Sequence, residues 1–264
     1  MSAPFTTFIL RFLAWMRYAG AAKVQIMVKK ASRLVLLRHG QSQWNLENRF
    51  TGWFDVGLTE KGVEEANAAG TLLLSSGIKP DVVHTSLQTR AILTANLALS
   101  ACDQVWIPVR RSWRLNERHY GGLTGLNKQE TVDLHGEEKV REWRRSYSIA
   151  PPAMAPDHPY NPNTDGRYDS VPKDLLPATE CLADVIERLI PYWQNELASD
   201  LREFPTVLIA AHGNSLRALV KHLEDIPEDE ITGLEIPTGA PIVYELNSDL
   251  SPVNSMPISE RYLA

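Results

Sequence analysis

Apolar and polar positions fall into blocks that read as alternating strands and helices. Leu34 to Leu37 is an unbroken apolar run, and so is Val207 to Ala211 within the strand expected over Thr206 to Ala211. Runs without alternation suit strands covered on both faces, as in a parallel sheet. Asp81 to Thr85 and Trp106 to Val109 predict two further strands, and Pro241 to Leu246 a closing one. Helical spacing fills the intervals. Thr59 caps a helix whose apolar positions are Val63, Ala66, Leu73 and Leu74, ending near Gly77; Ser86 caps the next. Leu182, Val185, Ile186, Leu189 and Ile190 mark a third, and Leu216, Leu219, Val220 and Leu223 one that starts at Ser215. Gln43 to Trp53 has neither period and reads as a loop folded over a site. Seven of the 17 prolines lie between Pro151 and Pro177, which predicts a long irregular excursion, and such loops tend to be functional.

Two of the apolar runs end in the same chemistry. The first delivers Arg38-His39-Gly40 and the other His212-Gly213-Asn214. Ligands of α/β sheets collect beyond the carboxyl ends of the strands, so if these two are neighbours, both imidazoles meet there. A neutral imidazole can attack phosphorus, and a guanidinium can hold phosphoryl oxygens through paired donors. Arg90 falls in the first turns of its helix, where anions are favoured. Glu117, among Arg114, Arg118 and His119, is either an ion-pair partner or a general acid/base. Lys128, Arg141, Arg144 and Arg145 lie on helical sequence running through Trp143, where a solvated charged face explains them equally well.

Composition narrows the partners. A chain of 264 residues, 44% hydrophobic, can bury one large α/β core, and no internal repeat or linker divides it. The net charge of −5 argues against a general nucleic-acid binder, so any cationic site is local. Cys102 and Cys181 have neither metal-ligand spacing nor a disulfide framework, which fits a reducing cytoplasm. Residues 1–32 stand apart as an N-terminal extension. Phe5 to Met16 is apolar but interrupted by Arg11 and too short to span a bilayer, so no membrane association is expected. Met27 is the expected true start, with residues 33–264 as a single domain.

Five segments, in order, carry a resemblance. They are Leu36-Leu37-Arg38-His39-Gly40-Gln41-Ser42-Gln43-Trp44-Asn45, Asn48-Arg49-Phe50-Thr51-Gly52-Trp53, Leu115-Asn116-Glu117-Arg118-His119-Tyr120-Gly121, Trp143-Arg144-Arg145, and Ala210-Ala211-His212-Gly213-Asn214-Ser215-Leu216-Arg217. Through these the chain resembles the cofactor-dependent phosphoglycerate mutases of the histidine phosphatase superfamily. The resemblance implies a three-layer α/β/α sandwich with a mixed, mostly parallel sheet, assembled as a homodimer or homotetramer. It implies that His39 is the phosphorylated nucleophile, primed by 2,3-bisphosphoglycerate without a metal, and that the small-molecule substrates are 3- and 2-phosphoglycerate. Arg38, Arg90 and His212 would hold the phosphoryl group, and Glu117 would move the hydroxyl proton. Asn45, Thr51 and Asn214 would add phosphate contacts, and Ser42, Gly52 and Gly213 would join them in binding the substrate. Tyr120, Lys128, Arg144 and Arg145 would hold the carboxylate and the second phosphate.

A phosphatase, a bisphosphoglycerate synthase and a non-catalytic phospholigand-binding module share this scaffold. The Trp143-Arg144-Arg145 and Asn116-Glu117-Arg118-His119-Tyr120 elements favour the mutase over the phosphatase, and Ser42 favours it over the synthase. Family members carry a mobile tail that closes over the site, whereas 18 residues, Asn247 to Ala264, follow the expected last strand here. A leakier phosphohistidine is therefore expected.

Overall fold

The computed structural model describes residues 32–263, so the expectations for the first 31 residues lie outside the described residues. Five strands form one sheet: β1 (Ser32–Arg38), β2 (Val82–Thr85), β3 (Val109–Arg111), β4 (Thr206–Ala211) and β5 (Pro241–Leu246). Their order is β3-β2-β4-β1-β5. The first four are parallel, and β5 runs antiparallel to β1 at the edge.

The helices are α1 (Gln43–Leu46), α2 (Glu60–Ser75), α3 (Thr89–Ala101), α4 (Lys128–His135), α5 (Glu137–Arg145), α6 (Leu182–Tyr192), α7 (Ala198–Glu203), α8 (Gly213–Glu224) and α9 (Glu228–Ile231). Side chains of β1 and β4 point alternately to two cores, because successive strand residues face opposite ways. Leu34, Leu36, Val207 and Ile209 pack with α6, α7 and α8. Val35, Leu37, Leu208 and Ala210 pack with Ala69 and Leu73 of α2 and Ala95, Ala98 and Leu99 of α3. Helices thus cover both faces of a mixed sheet, a three-layer α/β/α arrangement. Each fully buried Leu or Ile contributes about 1.5–3 kcal/mol, which is why central strands need no polar alternation. Among the described residues, no helix is long and apolar enough to cross a membrane.

Several local expectations are corrected. The expected third strand is displaced: Trp106 is 76% exposed in a turn, and β2 pairs instead with Val109–Arg111. Apolar character there reflects an uncovered surface rather than a sheet interior. Gln43 to Trp53 is not all loop, since Ser42 and Asn45 form a capping box that nucleates α1. Ser86 does not cap α3; Gln88 occupies that position. The buried stripe of α2 is Gly62, Ala66, Ala69, Gly70 and Leu73, leaving Val63 and Leu74 exposed. The basic helical stretch breaks at Gly136, whose φ of +83° ends α4 before α5 begins. Helix α8 starts at Gly213, ahead of Ser215.

The proline-rich excursion contains three short 3₁₀ turns and folds back onto the chain around Trp53. Tyr168 packs on Trp53 with ring centroids 4.9 Å apart, and Arg167 pairs with Asp55 at 2.9 Å. The last described residues lie along the free side of β5. Val243 N donates to Arg261 O at 2.9 Å, and Leu263 N to Pro241 O at 3.0 Å.

Candidate active site

Strands β1 and β4 are neighbours, and the pairing continues one residue past the strands through His39 N donating to Ala211 O at 2.9 Å. The two histidines therefore emerge side by side, with ring centroids 5.0 Å apart. His39 Nδ1 lies 2.7 Å from Gly40 O. A carbonyl only accepts, so Nδ1 carries the proton and Nε2 keeps its lone pair. Burial first, then the charges of Arg90 and Arg38, hold His39 well below its usual 6.5, so the ring is neutral at neutral pH. Gly40 is required by contact: a Cβ there would sit 2.1 Å from Gly62 O at the start of α2. Burial, then Arg90 and His39, likewise keep His212 neutral. Its Nε2 bonds Ser86 Oγ at 2.8 Å, and its buried Nδ1 has no hydrogen-bond partner.

Arg90 is 1% exposed, with Nη2 donating to Gly52 O at 2.9 Å and Nη1 to Phe54 O at 3.1 Å. Burial pushes it down to about 10 against the pull of Glu117 and Asp55, so it stays cationic. Gly52 turns with φ +57° beneath Tyr120, and a Cβ would lie 3.1 Å from Tyr120 N. Arg38 is half-buried: Nη1 donates to Ile236 O at 2.7 Å, while the buried Nε has no partner. Gly213 leaves room beside it, where a Cβ would be 3.6 Å from Arg38 Cζ and 3.8 Å from Glu117 Oε2.

Glu117 is 8% exposed. Its Oε1 accepts from Arg118 N at 2.7 Å, Asn214 Nδ2 at 2.8 Å and Asn214 N at 3.2 Å. Burial alone would raise this carboxyl; those bonds and the charges of Arg38 and Arg90 outweigh it and hold it below its ordinary range. Asn214 Nδ2 also reaches Tyr120 Oη at 3.4 Å.

The remaining expected residues divide. Lys128 opens α4 over the Phe50 ring at 5.9 Å, and burial lowers its ammonium. Arg144 is half-buried and lines a cavity with Gln129 and Val140. Thr51 is buried one residue before Gly52. Ser42 is fully buried and spends its hydroxyl on Asn45 N at 3.2 Å, so it caps α1. Asn45 Oδ1 in turn accepts from Ser42 N at 3.1 Å. Arg145 is engaged by the Glu235 carboxylate.

Other residues that hold the site were missed from sequence. Ser86 bonds His212; Gln88 bonds Glu117 N at 2.8 Å and Gly52 O at 2.8 Å. Arg118 lies buried over the Tyr120 ring at 4.6 Å with its Nε unpartnered. Arg217 Nη1 donates to Asn214 Oδ1 at 2.6 Å. Arg188 pairs with Glu180 at 2.6 Å and donates to the carbonyls of Arg114, Asn116 and Glu117. The usable signal was position: Ser86 and Gln88 lie just past the carboxyl end of β2, as His39 and His212 lie past the ends of β1 and β4. In sum, a neutral nucleophilic nitrogen stands beside a second neutral imidazole, an ionised carboxylate and an excess of arginines, a set suited to an anionic ligand and to phosphoryl transfer.

Comparison with known proteins agrees with this chemistry. A 2,3-bisphosphoglycerate-dependent phosphoglycerate mutase of Erythrobacter litoralis is 60% identical over 219 residues, covering 83% of this chain and 95% of its own. A phosphoglycerate mutase of Candida albicans is 57% identical over 220 residues, covering 83% of this chain and 89% of its own. Among solved structures, a mycobacterial glucosyl-3-phosphoglycerate phosphatase in complex with VO3 superposes with a TM-score of 0.64 at 25% identity, over 84% of this chain and 95% of that one. The model of the histidine phosphatase superfamily (branch 1) matches residues 34–256, and the chain belongs to that superfamily.

Proposed function

We propose that the protein interconverts 3-phosphoglycerate and 2-phosphoglycerate, in glycolysis and gluconeogenesis, through a phosphohistidine at His39 primed by 2,3-bisphosphoglycerate. The observation that carries this reading is the free Nε2 lone pair of a neutral His39, ringed by Arg38, Arg90 and His212 with Glu117 alongside. The relatives at 57–60% identity support the choice of substrate.

The donor set fits a bisphosphate. Arg38 Nε and Arg118 Nε are buried without partners, and Arg90, Arg144, Arg217 and Lys128 add positive charge around the hydrogen-bonded Glu117 carboxylate. When bound, 2,3-bisphosphoglycerate supplies the phosphoryl group. His39 Nε2 forms the new P–N bond as the P–O bond to the departing oxygen breaks. Arg38, Arg90 and the His212 ring stabilise charge on the equatorial oxygens, with Asn45, Thr51, Gly52, Gly213 and Asn214 taken as further contacts. Glu117, ionised, takes the proton of the substrate hydroxyl when the phosphoryl group returns to carbon-bound oxygen, and gives it back in the opposite direction. Tyr120, Lys128, Arg144 and Arg145 hold the far end of the substrate. The reading takes the protein as a cytoplasmic homodimer or homotetramer, a state that sedimentation measures.

The deciding experiment supplies 3-phosphoglycerate with and without 2,3-bisphosphoglycerate, coupled to enolase. Cofactor-stimulated product, lost in His39→Ala, is expected. Release of free phosphate alone would replace the mutase with a phosphatase.

A further inference from the structure

Three consecutive residues between α9 and β5 each hold one arginine, and the three arginines come from three different elements. Leu234 O accepts from Arg217 Nε at 2.9 Å and Nη2 at 2.7 Å, fixing an arginine of α8. Ile236 O accepts from Arg38 Nη1 at 2.7 Å at the end of β1. Between them, the Glu235 side chain pairs with Arg145 at the end of α5. The two carbonyls cannot be exchanged without moving the backbone. The carboxylate can.

The Glu235 side chain is 64% exposed and that of Arg145 36%. A pair this open is weak and is screened by salt, so another anion can displace one partner. Burial would raise the Glu235 carboxyl, but Arg145, with help from Arg217 and Arg38, outweighs it and keeps the group ionised. A fixed negative charge therefore stands at the rim of the cation cluster, on an arginine that is partly open to solvent.

We propose that Glu235 is a specificity-determining residue: its carboxylate competes with the ligand for Arg145 and disfavours ligands in proportion to their charge. The identity of the ligands rests on the mutase reading. A cluster of arginines left unopposed would favour the bisphosphate over the less charged monophosphate. Turnover, however, requires the monophosphate to enter while the bisphosphate is present. A local carboxylate narrows that gap without removing any donor from the reacting phosphoryl group.

The test uses Glu235→Gln, which keeps shape and removes charge. Binding of 2,3-bisphosphoglycerate is measured by calorimetry in a His39→Ala background, so that no phosphoryl transfer intervenes, and KM for 3-phosphoglycerate is measured in the active chain. Glu235→Gln is expected to tighten the bisphosphate by about threefold to fivefold, the scale of an exposed ion pair. KM for the monophosphate falls less, kcat is unchanged, and the difference shrinks as salt rises. The gain should disappear when Arg145→Ala is added, because the coupling belongs to that pair. Weaker binding in Glu235→Gln would make Glu235 a support for Arg145 and overturn the inference; so would equal effects on both ligands. If neither His39→Ala chain binds the bisphosphate, the mutase reading falls and this inference with it. Binding that is present but indifferent to Glu235→Gln removes the inference alone.

Discussion

Arg188→Met tests whether the turn bearing Glu117 is held by one buried cation. Arg188 makes five hydrogen bonds: two to the Glu180 carboxylate and one each to Arg114 O, Asn116 O and Glu117 O. Both partner side chains are under a tenth exposed, so solvent screens little. Methionine fills similar volume beside Trp53 but leaves Glu180 charged and the three carbonyls without this donor. Breaking one side of a buried pair costs about 3–5 kcal/mol. Glu180 keeps one donor, His119 N at 2.7 Å, which argues for the lower half of that range. For a domain of this size that corresponds to a fall in Tm on the order of 10 °C. Urea unfolding should show a lower midpoint with an unchanged slope, and turnover at 25 °C should drop because the Glu117 backbone keeps its bond to Gln88 but loses the one to Arg188. Glu180→Gln in the same chain should recover part of the stability by removing the stranded charge, but not the turnover. A loss below about 1 kcal/mol, or full turnover in a destabilised protein, would refute the coupling between this pair and Glu117.

Glu117→Gln keeps the shape but not the proton transfer, and should lower turnover by on the order of 10² while substrate affinity changes little; near-normal turnover in a coupled assay would reduce Glu117 to a charge partner. His39 is held well below 6.5, so the rate of its labelling by 2,3-bisphosphoglycerate should stay level as pH falls through 6.5, where an ordinary imidazole would protonate and slow. His84, fully buried between Tyr192 and Asp200, is pushed down to about 4, chiefly by burial. Between about pH 6.5 and 4 the unfolded chain binds the extra proton. His84 therefore lends stability that is complete above 6.5 and is lost on acidification, by roughly 3 kcal/mol across that window. His84→Gln should flatten that part of the stability–pH curve measured by urea titration.

What could be read from sequence follows from how local each signal is. His39 and His212 were legible because a strand's apolar run and its terminal residue are contiguous, and parallel pairing then does the rest. Glu117 stood out as an acid among bases. Ser86, Gln88, Arg188 and Arg217 act through partners distant in sequence or through backbone carbonyls, which leave no trace in residue type: Ser86 meets His212 across 126 positions. Trp106 misled for the opposite reason, since hydrophobicity reports transfer preference and not whether a neighbour is present to cover the ring. Arg145 reads from sequence as a substrate cation, but nothing in its own neighbourhood of sequence announces its partner Glu235.

The segment alongside β5 has a bearing on how the protein behaves at high concentration. An uncovered strand offers a row of amide and carbonyl groups to any other extended chain. Here the outer side of β5 is occupied along both halves. Ile242 bridges to Tyr262, Leu246 bridges to Pro252, and Val253 N donates to Glu245 O at 2.8 Å. At the opposite margin, β3 is three residues long and two of them are arginines. Removing residues 257–264 would strip half of that cover and leave the strand beside β1 open to recruitment. Such a chain should lose solubility before it loses its fold.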